Sequence, residues 1–238
     1  MLLVAGYDTT TTILVYAYHL LSKHPEALEK LREEHNTIFG SDTSVAAARL
    51  REDSKVLNNL PYTQAVIKET MRIFPPVAAL RAGSQSVELA DLYGTRYPTG
   101  GCYVVNSHHS IHSNPHSHPD PDAFKPERWI DSGMERGAWR PFERGARSCI
   151  GQDVAMIQLK VALMCTIRTF KIEPVYEEWD AMKAKNAKLE VGKAYITSMG
   201  RQKDRKEQVG GERAYQVECG GAAHAKEGYP CRVTLLQQ

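Results

Sequence analysis

The sequence predicts a mostly α fold with small β-sheets, and three observations carry that expectation. Apolar residues recur at helical spacing before residue 75 and again after residue 151. Short β-prone pieces separated by Gly and Pro fill the interval from Val77 to Val105. A coil rich in Pro, His, Asp and Ser then runs from residue 106 to residue 148.

Each element follows from its residues. Residues 1 to 22 read as one long, mostly apolar helix; with no basic leader, and with AGYDTTTT inside it, the segment reads neither as a signal peptide nor as a membrane span. HPEALEKLREEHNTIFG predicts a second helix, where Pro25 suits the first turn, Glu26 its positive end and Gly40 the stop. LPYTQAVIKETMRIF predicts a third, ended by Pro75-Pro76. LYGTRYPTGGCYVV reads as strand–turn–strand. Gln152 to Phe170 returns to helix, with Val154, Met156, Ile157, Val161, Leu163 and Met164 supplying apolar faces. Residues 182–209 are charged and unpatterned, and are expected to form an irregular insertion within a single domain over 1–238. AYQVE and CRVTLL are expected to close the chain as a hairpin around a Gly-rich loop.

Composition narrows the function classes. With 238 residues, 42% hydrophobic and 24% charged, the chain can bury one sizeable core. The formal charge of +2 hides a local excess of five positive charges between residues 183 and 207, so the remainder stands at −3 and no nucleic-acid partner is indicated. Five cysteines, an odd number with no C-x-x-C pair, argue against a disulfide framework and for one special thiol or a reducing compartment.

That thiol is found in PFERGARSCIGQ, residues 141 to 152. A thiolate is favoured by nearby positive charge and by a helix N-terminus. Arg144 and Arg147 lie close in sequence to Cys149, and a helix is predicted to start near Ile150 or Gly151. Gly145 and Gly151 remove side chains, so a flat ligand could approach the backbone. The plainer alternative is a buried cysteine beside a helix start.

The spacing Phe142-x-x-Gly145-x-Arg147-x-Cys149-x-Gly151 resembles the haem-ligand loop of the cytochrome P-450 family, the haem-thiolate monooxygenases. The resemblance implies that Cys149 is the axial ligand of haem iron, tuning O–O cleavage electronically. It implies that Arg147 pairs with a haem propionate, that Phe142 packs near the sulfur, and that Gly145 and Gly151 let amide N–H groups reach it. Further stretches are similar to the family in the same order. Glu69-x-x-Arg72 and, in FKPERW, Arg128 resemble a buried structural triad, with Trp129 where the family has Phe. AGYDTT resembles the oxygen-binding segment, which implies that Thr9 bonds the distal oxygen, that Asp8 relays protons, and that the helix is locally loosened there. The alternative is a core helix whose threonine hydroxyls bond back to carbonyls one turn earlier. In VAALRAG, Arg81 is implied as a second propionate partner, with Val77, Ala78 and Ala79 facing substrate.

The family reading implies the C-terminal half of the cytochrome P-450 fold, from the oxygen-binding helix through the haem-ligand loop and final helix to the terminal hairpin. It implies insertion of one oxygen atom from dioxygen into a small apolar organic substrate. The cofactor is haem, with electrons from NADPH delivered by a flavoprotein reductase. The family suggests the cytosolic face of the endoplasmic reticulum membrane; without the family's N-terminal anchor this chain is expected to be cytoplasmic, to bind haem weakly and to turn over poorly. The closing ERAYQVE and GYPCRVTL are similar to fungal secondary-metabolism members. Two alternatives stay open: a truncated haem-binding remnant without turnover, and a metal-binding module in the His-rich loop 108–118. There His108, His112 and His116 are spaced for zinc on one helix face, although Pro115 and Pro119 oppose a continuous helix.

Overall fold

The first helix forms as its apolar spacing predicts. α1 runs Leu2–Lys23 and buries Ile13, Tyr16, Ala17, Leu20 and Leu21 along one stripe. The structure, a computed structural model, describes residues 2–130, 137–187, 216–219, 222–225 and 229–236. α2 (Pro25–Phe39) opens on a proline and ends at Gly40, whose φ of 82° suits a residue without Cβ and whose amide donates to Asn36 O at 2.9 Å. The short α3 (Ala46–Glu52) lies between two 3₁₀ turns, each opened by an aspartate accepting from the chain two residues on.

α4 (Pro61–Ile73) is the most buried helix, and its first turn is capped from outside. Its N-cap, Leu60, has no polar side chain, so Glu34 of α2 reaches across to accept from Tyr62 N at 2.6 Å and Thr63 N at 2.9 Å. Phe74 ends the helix before the double proline and stacks on Tyr16 of α1, with ring centroids 3.9 Å apart.

Short strands follow: β1 (Ala79–Ala82), β2 (Glu88–Ala90), β3 (Arg96–Pro98) and β4 (Tyr103–Asn106). The expected strand–turn–strand over residues 92–105 has its two strands, but they do not pair with each other. β3 folds back on β2 through a turn held by Asp91 and Gly94, while β4 pairs antiparallel with β1, Arg81 opposite Val104. After the one-turn helix α5 (His108–His112), coil leads to a 3₁₀ turn at Pro126–Trp129 and another at Gly145–Arg147.

α6 (Gln152–Thr166) is shorter than expected, and Phe170 opens a strand, β5 (Phe170–Pro174). Leu159, Leu163 and Met164 are buried, whereas Val154 and Ile157 are exposed near the cysteine loop. The insertion expected as irregular over 182–209 begins inside a helix, since α7 runs Tyr176–Ala187; residues 188–209 lie outside the described residues. The closing strands also pair differently from the expected hairpin. β6 (Gln216–Cys219) pairs with β7 (Ala222–Ala225), and β8 (Cys231–Leu235) pairs with β5. Helices α1, α2, α4 and α6 enclose the main core, which Phe124 also enters from the coil. No helix among the described residues is long and apolar enough to cross a membrane.

Candidate functional site

The cysteine loop is held by its carbonyls and by one carboxylate. Cys149 N donates to Phe142 O at 2.8 Å, and Ser148 N donates to Gly145 O at 3.0 Å. Gly145 has φ of 74°, a left-handed turn that glycine adopts without strain. Glu143 is left-handed too, φ 58°, and its carboxylate accounts for the position: it accepts from Asn106 Nδ2 at 2.7 Å, His108 Nε2 at 2.9 Å and Arg140 Nη2 at 3.2 Å. Burial alone would raise the Glu143 pKa. The hydrogen bonds from His108 and Asn106, with the Arg140 charge, instead hold it at about 2. His108 also bonds Val77 O through Nδ1 at 2.7 Å, so one imidazole ties the loop to the chain before β1.

Cys149 is a free, exposed thiol directly before α6, whose N-cap is Gly151. A Cβ at position 151 would stand 3.9 Å from Sγ, in ordinary contact with the sulfur. Among the described residues no amide bonds to Sγ, and Gln152 N is directed at Cys149 O at 3.4 Å. Beside the loop opens a cleft of about 250 Å³, lined by Arg81 of β1 and by Arg140, Arg144 and Arg147, with Glu143 as its acid. Apolar side chains stand exposed nearby in sequence, Ile150 at 93% together with Val154 and Ile157.

A haem requires a sulfur open to iron, apolar surface for the macrocycle and cations for two propionates. An exposed thiol at the head of a 15-residue helix, bare aliphatic side chains on its first turns and a guanidinium-lined cleft fit that group. Arg81 and Arg147 line the same cleft. Phe142 is half-buried, packed against the main core and 6.1 Å from the Trp139 ring.

Glu69, Arg72 and Arg128 meet in one cluster. Arg72 holds Glu69 with two bonds of 2.9 Å, and Arg128 Nε adds a third at 3.0 Å. Trp129 Nε1 donates to the same carboxylate at 2.9 Å, an indole N–H that phenylalanine would lack. The remaining Arg72 hydrogens go to His112 O, Pro121 O and Ala123 O, pinning the coil.

Asp8 and Thr9 stand apart from the cleft, on the first turns of α1. Thr9 Oγ1 donates to Ala5 O and Thr11 Oγ1 to Tyr7 O, both at 2.7 Å. The expected loosening is not found, because α1 is α-helical throughout Leu2–Lys23. Asp8 Oδ2 instead lies 3.4 Å from His224 Nε2 of β7.

The histidine-rich segment is structural in its geometry. α5 stops at His112, so His116 leaves the face and is exposed, while the buried His118 ring comes within 6.1 Å of His112. Arg140 N donates to His112 Nε2 at 2.9 Å. Burial, with the charges of His108, His118 and Arg72, holds the His112 pKa at about 3. Among the described residues no group of three or more His, Cys, Asp or Glu is placed to hold a metal ion. Sequence reasoning missed Asn106, Arg140, Glu143 and His224. The clue for Glu143 lay in the five histidines of one short segment, which read as ligands but supply a donor to a loop carboxylate.

Comparison with known proteins gives the family. Residues 1–194 match the family described as Cytochrome P450. The cytochrome P450 monooxygenase polC of Polytolypa hystricis is 40% identical over 241 residues, covering 99% of this chain and 40% of that protein. The cytochrome P450 monooxygenase acrF of Aspergillus aculeatus is 37% identical over 197 residues, 74% of this chain and 40% of that protein. The cytochrome P450 monooxygenase PC-23 of Penicillium crustosum is 38% identical over 189 residues, 78% of this chain and 91% of that protein. The chain thus spans about 40% of the length of the first two relatives. With its cysteine loop, helical core and small sheets, this chain belongs to the cytochrome P450 family.

Proposed function

We propose that the chain serves a haem-thiolate monooxygenase, inserting one oxygen atom from dioxygen into a small apolar organic substrate. The observation that carries the reading is the exposed Cys149 thiol at the head of α6, on a loop whose Arg144, Ala146 and Arg147 line a cleft together with Arg81 and Arg140. When bound, haem supplies oxygen activation at a thiolate-ligated iron. Cys149 would hold the iron through its sulfur, and Arg81 and Arg147 would neutralise the propionates. Ile150, Val154 and Ile157, exposed in the chain alone, would give the macrocycle aliphatic surface. The Glu143 network keeps the loop in its turn, and the Glu69–Arg72–Arg128 cluster locks the coil. Asp8 would serve as the acid and Thr9 as the hydroxyl of proton delivery, once Thr9 releases its hydrogen bond to Ala5 O. Electrons come from NADPH through a flavoprotein reductase, and the whole protein resides at the cytosolic face of the endoplasmic reticulum membrane. Val77, Ala78 and Ala79 contribute small side chains on the substrate side.

The absorption spectrum of the reduced, haem-reconstituted chain under carbon monoxide tests this. A red-shifted Soret band lost in Cys149→Ser supports the reading. Haem binding that is indifferent to Cys149→Ser overturns it.

A further inference from the structure

The four threonines of α1, Thr9 to Thr12, do not all behave alike. Thr9 and Thr11 spend their hydroxyls on carbonyls one turn earlier. Thr12 is only 4% exposed, and its hydroxyl instead meets His224 Nδ1 at 2.9 Å. The other nitrogen of that ring, Nε2, lies 3.4 Å from Asp8 Oδ2, one turn back along the same helix. A single imidazole therefore spans the acid and a buried alcohol of α1.

The residues on either side of His224 hold the ring in place. Ala223 N donates to Pro76 O at 2.7 Å, and Ala225 packs against the main core. Both partners are satisfied together when the ring hydrogen is on Nε2, facing the carboxylate, and the Thr12 hydroxyl donates to Nδ1.

We propose that His224 is a positioning residue that clamps the β6–β7 hairpin onto α1 and orients the Asp8 carboxylate. The clamp itself needs only contacts within this chain. Its consequence for oxygen chemistry, a carboxylate held in one direction beside Thr9, rests on the monooxygenase reading above. His224 thereby couples the β6–β7 hairpin to the Asp8 carboxylate: displacing the hairpin frees Asp8.

The test uses the 238-residue chain without haem, labelled with ¹⁵N in its histidine rings. The ring spectrum of His224 is expected to show the hydrogen on Nε2 and an acceptor-bonded Nδ1. Thr12→Val should abolish the second signature, and Asp8→Asn should shift the first. Amide exchange at residues 223–225 should accelerate about two- to fivefold in His224→Ala, the range for a partly exposed pair. His224→Asn retains a group near Nδ1 and should restore the Thr12 contact alone. His224→Gln retains one near Nε2 and should restore the Asp8 contact. A ring spectrum indifferent to both α1 variants, or unchanged exchange in His224→Ala, overturns the clamp. Acceleration spread over the whole chain in all three His224 variants also overturns it, because a clamp acts locally. Haem binding indifferent to Cys149→Ser would remove the monooxygenase reading while leaving these haem-free measurements intact.

Discussion

Arg72 grips Glu69 through two parallel bonds, Nε to Oε2 and Nη2 to Oε1, each 2.9 Å, with both side chains fully sealed from water. The pair is one turn of α4, yet its other bonds reach 40 to 60 residues further along the chain, to His112, Pro121, Ala123, Arg128 and Trp129. A buried ion pair adds little net stability beside an apolar substitute, but removing one partner strands the other charge.

Arg72→Leu is therefore expected to destabilise the chain by about 3–5 kcal/mol in urea denaturation. Arg72→Lys should recover less than half of that, since an ammonium cannot reach the carboxylate and three carbonyls from one plane. A Lys variant as stable as the parent contradicts this account of the coil.

Glu34 does for α4 what its own N-cap cannot. Glu34→Ala should cost about 1–2 kcal/mol, as for loss of a helix cap. Amide exchange should accelerate first at Tyr62 and Thr63, the two amides that lose their acceptor. Glu34→Gln, which keeps one carbonyl acceptor, should fall between.

Acid should weaken the fold before carboxylates titrate. Burial, with the Arg168 charge, lowers the His35 pKa to about 4, and burial with neighbouring positive charge lowers that of His112 to about 3. In the unfolded chain both bind protons near pH 6.5, so the unfolded state holds more protons between the two values. Their contribution is complete above pH 6.5 and is lost as pH falls towards 4 and then 3. Stability should drop by about 1.4 kcal/mol per pH unit for each residue in its window, measured by urea midpoints from pH 7 to 4. His35→Phe should roughly halve the slope above pH 4; an unaltered slope contradicts the assignment.

Arg147→Leu should weaken haem binding about tenfold or more, as for loss of a hydrogen bond to a charged group. Arg81→Leu, in the same cleft, should do likewise. Haem titration followed by absorbance checks both, and undiminished affinity in the two variants would move the propionates elsewhere.

The helices were legible because their signals are local. Ile13, Tyr16, Ala17, Leu20 and Leu21 repeat at helical spacing, while Pro25, Gly40 and the double proline after Phe74 act within a turn of where they stand. The site was legible to the extent that its residues are neighbours in sequence, as in the loop from Phe142 to Gly151. Strand pairing was less legible: β4 and β8 carry ordinary strand residues, and nothing within them names β1 or β5 as partner.

By itself, then, the sequence determined which segments coil into helices, where they stop, and that one cysteine sits on a glycine-flanked turn ahead of the last core helix. Tertiary structure alone decided that Glu143 takes donors from Asn106 and His108, that Glu34 caps a helix not its own, and that His224 reaches Asp8 and Thr12. Propensity and capping act over a few residues, whereas a buried carboxylate or hydroxyl takes whichever donor packing brings to it, at any separation along the chain.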